Sequence, residues 1–159
     1  STKTVKAIDN FLPKDNFLDI KTILESNSFP WFFQNTVSGK DNDYYFIHHL
    51  YNHDTISSNY FNMIKPIIDK IKMKSLIRIK CNMYPSTQKA QKHPTHRDYD
   101  FKHFGAIYYV NSNNGYTSIN KDKIESIENR ILLFDPSVEH NSVTCTDEKV
   151  RLNINFNYF

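Results

Sequence analysis

A chain of 159 residues with a formal net charge of +3 suits one domain of ordinary size, and we predict a single domain over residues 1–159. No apolar run approaches the roughly 20 residues of a membrane-spanning helix, and no hydrophobic export signal precedes the domain, so a cytoplasmic protein without membrane contact is expected. The mild charge falls short of that of most nucleic-acid-binding domains. Cys81 and Cys145 are too few for a disulfide framework and lack the spacing of a zinc site, which favours reduced thiols.

The first helix is predicted to begin near Pro13 and to end near Asn27. Its apolar face is made of Phe17, Ile20 and Leu24. Two strands, residues 31–37 and 44–51, are expected next, joined by a short polar loop.

A second helix is predicted after a capping serine, either Ser57 or Ser58. Its apolar stripe comprises Tyr60, Ile64, Ile67, Ile68 and Ile71. Pro66 lies within this stretch, so we expect a kink or a restart of the helix there. Two helices ahead of a strand-rich half are what an antiparallel barrel needs to cover the outer face of one sheet.

Two later segments, residues 77–84 and 150–158, alternate without a break and predict strands with one apolar and one polar face. The polar faces are Arg78, Lys80, Asn82 and Tyr84 in the first segment, and Arg151, Asn153, Asn155 and Asn157 in the second. On an uncovered strand Arg151 would be a solvent-facing charge. On a barrel strand whose outer face is covered, Arg151 would point into the cavity with Asn153 beside it.

Between these strands, residues 111–115 are rich in Asn and predict a turn. Residues 121–129 form either a short polar turn or an extended hairpin arm, and the sequence favours neither.

A metal-ligand pattern lies near the middle of the chain. His96-Arg97-Asp98 is followed 44 residues after His96 by His140, and Arg151 comes 11 residues later. In a strand, His96 and Asp98 project to the same side and can reach one metal. Two histidines and one carboxylate can hold one face of iron(II) and leave the opposite face open. An arginine beyond the second histidine can then grip the carboxylate of a co-substrate.

In its second half the chain resembles the iron(II)- and 2-oxoglutarate-dependent oxygenases, in the branch of prolyl 4-hydroxylase-like domains. The resemblance is carried by Tyr84, residues 96–98, 105–111, 114–117 and 132–135, His140 and Arg151. It implies a mainly β fold, a double-stranded β-helix or cupin-like jelly-roll, with the N-terminal helices packed on the outer face of one sheet. Compact domains of this kind also occur in tailed phages, so a phage origin, with action in the host cytoplasm, is a further expectation.

The resemblance also implies individual roles. His96, Asp98 and His140 would be the iron ligands. Arg151 would pair with the distal carboxylate of 2-oxoglutarate, with Tyr84 hydrogen-bonded to the same co-substrate and Asn153 close by. Dioxygen would be the oxidant and ascorbate a candidate reductant. Hydroxylation is the implied outcome, since halogenating relatives carry a small residue in place of the carboxylate that Asp98 supplies here.

One stretch departs from the family pattern. Relatives often have paired glycines followed by an acidic residue where this chain has Asn114-Gly115-Tyr116-Thr117. The departure leaves the loop on the substrate side open. A peptidyl proline is favoured by the branch, but a free amino acid, another small molecule or a modified nucleobase also fits the sequence.

Basic residues surround the metal motif, and they form either a solvated loop or an anion-attracting rim. They are Lys89, Lys92, His93, His96, Arg97, Lys102 and His103. A rim would favour a protein or peptide substrate with acidic residues near its target. Two other functions remain open: a non-catalytic jelly-roll module that binds a metal or ligand, and a cupin-type metalloenzyme that does not use 2-oxoglutarate. Neither has an evident need for a buried arginine at position 151.

Overall fold

The structure, a computed structural model, describes residues 5–159. The strands of that range are β1 Lys6–Ile8, β2 Phe32–Gln34, β3 Tyr45–Asn52, β4 Thr55–Ile56, β5 Leu76–Pro85, β6 Phe104–Tyr109, β7 Tyr116–Ile119, β8 Asp122–Glu125, β9 Arg130–Phe134, β10 His140–Val143 and β11 Val150–Tyr158. The helices are α1 Lys14–Glu25 and α2 Lys65–Ile71, and a 3-10 turn, Phe61–Ile64, leads into α2.

Both helices form where the sequence predicts them. Helix α1 follows Pro13 directly and ends at Glu25, two residues before the predicted end near Asn27, because the backbone of Ser26 is extended. The predicted serine cap is wrong, because the 3-10 turn begins after Tyr60 and α2 after Ile64, neither with a side-chain cap. Ser58 instead accepts the N–H of Tyr60 at 3.1 Å in the turn that leads into the helical stretch. Pro66 has no N–H to donate, so regular α-helix begins only at α2, after the 3-10 turn.

Two strand predictions need adjustment. The strand expected over residues 31–37 is confined to β2, because the residues after it form a loop around Asp41. The Asp41 carboxylate accepts the backbone N–H groups of Val37 at 3.1 Å and Ser38 at 2.9 Å, which removes those groups from strand pairing. The open alternative at residues 121–129 is decided in favour of a hairpin arm, since β8 pairs with β7 from Tyr116↔Glu125 to Ile119↔Asp122.

The strands form two sheets. The larger, antiparallel sheet has the order β1-β9-β6-β11-β5-β3-β2, with β4 on β3, and the smaller sheet has the order β10-β7-β8. The segment before the metal motif extends the smaller sheet, because His93 N–H donates to Ser142 O at 2.9 Å and the backbones of His96 and His140 exchange two bonds of 3.0 Å. This is the predicted double-stranded β-helix, or jelly-roll, with flanking helices.

The main hydrophobic core lies between the helices and the outer face of the larger sheet. It joins Phe17, Ile20 and Leu24 of α1 to Ile79 and Cys81 of β5 and to Leu152, Ile154 and Phe156 of β11. Because helices cover that face, the polar faces of β5 and β11 point between the sheets. Arg151 is therefore only 1% exposed, and the solvent-facing alternative is wrong. Neither described helix is long and apolar enough to cross a membrane.

Candidate active site

The inward faces of β5 and β11 line a cavity of about 140 Å³ between the sheets. This is smaller than the roughly 300–1,000 Å³ of pockets for drug-sized ligands, so the cavity suits a small co-substrate and one substrate group. Its lining residues are Arg78, Lys80, Asn82, Tyr84, His96, Arg97, Asp98, Ile107, Thr117, His140, Asn141, Ser142, Arg151, Asn153 and Asn155. All six residues assigned to the site from the sequence are among them.

Three of these residues form a metal-ligand cluster. One ligand atom from each of His96, Asp98 and His140 lies within 4.8 Å of the other two. Asp98 Oδ1 is 3.4 Å from His96 Nε2 and 3.2 Å from His140 Nε2. Two imidazole nitrogens and one carboxylate oxygen on one side of a polar cavity form a donor set that suits a non-haem iron(II) ion.

The two histidine rings are positioned by the smaller sheet. The backbone bridge between His96 and His140 sets their side chains next to each other, with ring centroids 4.4 Å apart. His140 Nδ1 lies 2.8 Å from Val138 O and donates its proton there, so Nε2 is the ring nitrogen that faces Asp98. A histidine held in this orientation presents Nε2 to a metal, which would take the place of any proton on that nitrogen.

Asp98 is held by the larger sheet. Its Oδ2 accepts Asn155 Nδ2 at 3.2 Å and Asn157 Nδ2 at 2.9 Å, so Oδ1 is left to face the histidines. Burial alone would raise the pKa of Asp98, but hydrogen bonds from His140 and His96 hold it well below its usual range. The carboxylate is thus kept ionised, the form that binds a cation. Sequence reasoning missed Asn155 and Asn157 in this role, although the alternation of β11 had placed them on the inner face.

The H-x-D motif differs locally from the predicted strand. His96 takes part in a single bridge, and Asp98 lies in the bend after it, where its N–H donates to Pro136 O at 3.0 Å. The bend carries Asp98 across to β11, while Arg97 stays at the surface and lies 3.9 Å from Glu139. The two ligands therefore converge through the bend and not through regular strand geometry.

Arg151 is a buried cation without an acidic partner among the described residues. Its Nε donates to Ser126 Oγ at 3.1 Å and its Nη2 to Thr117 Oγ1 at 3.3 Å. The guanidinium also lies 5.3 Å from the centroid of the Tyr84 ring. Burying a charge without a counter-charge is costly, so the position suits the capture of an anion. Thr117 and Ser126 hold Arg151 through neutral oxygens, and sequence reasoning assigned neither to the site.

Tyr84 and Asn153 occupy different levels of the same cavity. Tyr84 lies directly opposite Arg151 in the β11–β5 register and stacks between Tyr45 and His93 at 5.1 and 5.6 Å. Burial raises the pKa of Tyr84, against the opposing charge of Arg151, so the phenol remains a neutral donor. Asn153 is one inward position further along β11 and accepts Asn82 Nδ2 at 3.0 Å.

The predicted basic rim is only partly present. Among its members other than the ligand His96, only Arg97 lines the cavity, while His93 and His103 are buried. His93 contacts Ser142 Oγ at 2.5 Å, and His103 accepts Asn157 Nδ2 at 3.1 Å. Besides Arg97 and Arg151, the cavity is lined by two cations that the predicted rim did not include, Arg78 and Lys80 on β5. The alternation of residues 77–84 places both on the same face as Tyr84.

The stretch that departs from the family pattern packs against Arg151. A Cβ on Gly115 would lie 2.6 Å from Arg151 Cδ and 2.8 Å from Val143 O, so we expect Gly115→Ala to displace Arg151. The affinity for an anion bound by Arg151 should fall about 10-fold, which corresponds to the free energy of one lost hydrogen bond. The metal-ligand cluster should be retained. Titrations of the variant with iron(II) and with 2-oxoglutarate would measure this. Gly39→Ala adds a Cβ that meets no atom within 4 Å, but it strains a backbone with φ of +81°, so it controls for glycine replacement away from the site. Unchanged 2-oxoglutarate affinity in Gly115→Ala would contradict the expectation.

Solved structures resemble this one over nearly its whole length. A prolyl-4-hydroxylase from Pseudomonas putida superposes with a TM-score of 0.70 at 12% identity, covering 99% of this chain and 92% of the other. A Trichoplax adhaerens prolyl hydroxylase, solved with a peptide fragment of a hypoxia inducible factor, gives 0.70 at 16% identity, covering 98% and 83%. A 2OG-Fe(II) oxygenase family protein from Burkholderia pseudomallei gives 0.70 at 8% identity, covering 97% and 84%.

The chain has the fold of these oxygenases. The sequence matches no protein-family model and no curated protein. At 8–16% identity the likeness establishes the fold alone. It agrees with the family resemblance in the sequence.

Proposed function

We propose that this chain is an iron(II)- and 2-oxoglutarate-dependent dioxygenase that hydroxylates its substrate, with residues 1–159 as one catalytic domain. The observation that carries the proposal is that one cavity contains both a metal-ligand cluster and Arg151. Arg151 is a buried cation without an acidic partner in the described part of the chain. A metal-binding module or a 2-oxoglutarate-independent cupin enzyme would need the cluster but not the arginine. The 2OG-Fe(II) oxygenase fold supports the same choice.

In this proposal His96, Asp98 and His140 would hold iron(II). 2-Oxoglutarate would supply its 2-oxo acid group to the metal, and Arg151 would pair with its distal carboxylate. The phenol of Tyr84, opposite Arg151 in the β-ladder, donates to the same carboxylate. Asn153 lies between the metal and Arg151 along β11 and lines the side of the co-substrate.

The reaction balances with dioxygen as the oxidant. One oxygen atom of O2 enters the substrate as a hydroxyl group, and the other enters 2-oxoglutarate, which loses carbon dioxide and becomes succinate. Iron, when bound, supplies the redox chemistry. The chain itself binds and orients the reactants: Asn155 and Asn157 fix the ligand carboxylate, and the hydroxyls of Thr117 and Ser126 fix the guanidinium that grips the co-substrate.

We further propose a protein or peptide as the substrate, in the manner of a prolyl hydroxylase, and not a nucleic acid. The support is the fold shared with prolyl hydroxylases, together with a net charge of only +3. A reducing, cytoplasmic setting is proposed because Cys81 and Cys145 are both free and buried. A phage origin stays a prediction of the sequence.

The decisive experiment is an anaerobic titration. Addition of 2-oxoglutarate to the protein with iron(II) is expected to produce a visible charge-transfer absorption that saturates at one equivalent, since the 2-oxo acid must chelate the metal. Admission of air should then release succinate and carbon dioxide. Iron binding without this absorption would contradict the proposal and favour a cupin-type enzyme or a non-catalytic metal-binding module, while absence of iron binding would leave only a module that binds a ligand without iron.

A further inference from the structure

We propose that Arg78 and Lys80 form an anion-binding subsite for the substrate, so that the substrate carries a carboxylate close to the carbon that is oxidised. This inference rests on the proposed function. It deepens that function by naming the chemical class of the substrate. Its support is the charge balance of the cavity, the position of the two cations along β5, and the hydrogen bonds that hold them.

The cavity holds more positive charge than its proposed occupants, iron(II) and 2-oxoglutarate, can balance. Its lining includes Arg78, Lys80, Arg97 and Arg151, whereas Asp98 is the only carboxylate that lines it within residues 5–159. Arg97 lies near Glu139, 3.9 Å away. The distal carboxylate of 2-oxoglutarate would balance Arg151, and iron(II) would be balanced by Asp98 and the chelating carboxylate. Two cations, Arg78 and Lys80, are then left without a counter-charge at ion-pair distance among the described residues.

The β-ladder places these cations away from the co-substrate. In the register of β11 and β5, Arg151 faces Tyr84, Asn155 faces Lys80 and Asn157 faces Arg78. At about 3.4 Å per residue, the Lys80 level lies roughly 14 Å and the Arg78 level roughly 20 Å along the sheet from Arg151.

Asp98 Oδ2 is held by Asn155 and Asn157, so this ligand is anchored at the end of the ladder where the two cations lie. A co-substrate that reaches from the metal toward Arg151 extends away from Arg78 and Lys80. The two cations are thus available to bind a different molecule beside the metal.

Both side chains are oriented by neutral groups. Arg78 Nη2 donates to Asn157 Oδ1 at 3.1 Å, its guanidinium carbon lies 5.3 Å from the centroid of the Tyr99 ring, and its buried Nε has no acceptor among the described residues. Lys80 Nζ donates to the Tyr45 hydroxyl at 3.1 Å. Partners of this kind fix the direction of a cation without neutralising it.

The state of Lys80 is consistent with an anion site. Burial, and then the charge of Arg78, lower the pKa of Lys80 to about 7. An anion bound beside it would favour the charged ammonium, so binding near neutral pH would be coupled to proton uptake. A guanidinium beside an ammonium matches the two oxygens of a carboxylate. The carboxylate could belong to an acidic side chain of a peptide or to a free small acid.

The test compares acids with their amides. Succinate release by the iron-loaded protein would be measured with Asp- and Glu-containing peptides, the matching Asn and Gln peptides, and free dicarboxylic and monocarboxylic acids. We expect stimulation by carboxylates at least 10-fold greater than by their amides, and a response that weakens as ionic strength rises. Peptides and free acids in separate arms identify the source of the carboxylate. Equal stimulation by acids and amides, or no response to any carboxylate, would overturn the proposal.

Variants locate the effect. Arg78→Gln and Lys80→Gln should each lower kcat/KM for the acidic substrate at least 10-fold while the Kd for 2-oxoglutarate, measured from the charge-transfer absorption, stays unchanged. Arg78→Lys should retain part of the response, which guards against a folding defect, and Lys89→Gln on the exposed surface is the matched control. Loss of 2-oxoglutarate affinity in the Gln variants would assign the two cations to the co-substrate and reject the proposal. Absence of the absorption in the unaltered protein would instead reject the proposed function itself.

Discussion

Replacement of Asp98 with Ala is expected to lower the affinity for iron(II) on the order of 100-fold or more, because metal sites lose 10–100-fold even when only a supporting partner of a ligand is removed. His96→Ala and His140→Ala should have comparable effects, since each removes one of three donors. The overall fold should persist, because these side chains line an open cavity and their loss leaves no void in the apolar core. Anaerobic calorimetry with iron(II) and thermal melts of the metal-free proteins would measure both quantities.

Asp100→Ala supplies a matched control for the aspartate. Asp100 lies two residues after Asp98 and is exposed, so its removal should leave iron affinity unchanged. If two of the three ligand variants kept the affinity of the unaltered protein, the assignment of His96, Asp98 and His140 as ligands would be wrong. A melting temperature that collapses in all three would point to a structural cluster instead.

Arg151→Lys should weaken 2-oxoglutarate binding by about 2 kcal/mol, or roughly 30-fold, while iron binding persists. Lysine keeps the charge but loses the planar fork that donates two parallel hydrogen bonds to a carboxylate. Arg151→Met removes the charge altogether. It should abolish the rise in melting temperature that 2-oxoglutarate produces, with little loss of stability in the ligand-free protein, since a buried cation without a counter-charge is replaced by an apolar side chain of similar length.

Two further variants calibrate this result. Arg130→Lys changes an arginine that pairs with Asp9 at 2.6 Å outside the cavity, and 2-oxoglutarate affinity should be unaffected. Tyr84→Phe removes one neutral donor and should cause a smaller loss than Arg151→Lys. If Arg151→Lys bound 2-oxoglutarate with the same affinity as the unaltered protein, the assignment of Arg151 to the co-substrate site would be wrong.

The inner face of the β11–β5 pair organises both proposed binding events. Its inward residues run from Arg151 and Tyr84 at one end to Asn157 and Arg78 at the other. In the proposal, the end with Arg151 and Tyr84 binds the co-substrate. The end with Asn157 and Arg78 supports the metal ligand Asp98 and binds the substrate. Rigid, paired strands hold these groups at fixed spacing, which is the condition for orienting reactants at a metal.

The sequence determined the features that depend on local pattern. Strict alternation in residues 77–84 and 150–158 gave β5 and β11 and sorted their side chains into two faces, because successive residues of a strand point to opposite sides. Apolar spacing and a proline gave α1 in the same way. The ligand set was suggested by residue type and order together with the family resemblance, and the structure brings His96, Asp98 and His140 together.

Tertiary structure decided which face of each strand is inside. Alternation separates the two faces of a strand but does not show which face is buried, so it allows Arg151 to face solvent. In the structure α1 covers the apolar face of β11, which directs Arg151 inward. The supporting contacts have the same origin: Asn155 and Asn157 reach Asp98 across 57 and 59 residues, and Thr117 and Ser126 reach Arg151 across 34 and 25. Such contacts depend on sheet order and strand register, which pair residues distant in the chain and leave no signal in the local sequence. For that reason the sequence predicted a rim from the basic residues near the metal motif, of which the lysines do not line the cavity, and did not assign Arg78 and Lys80, which do.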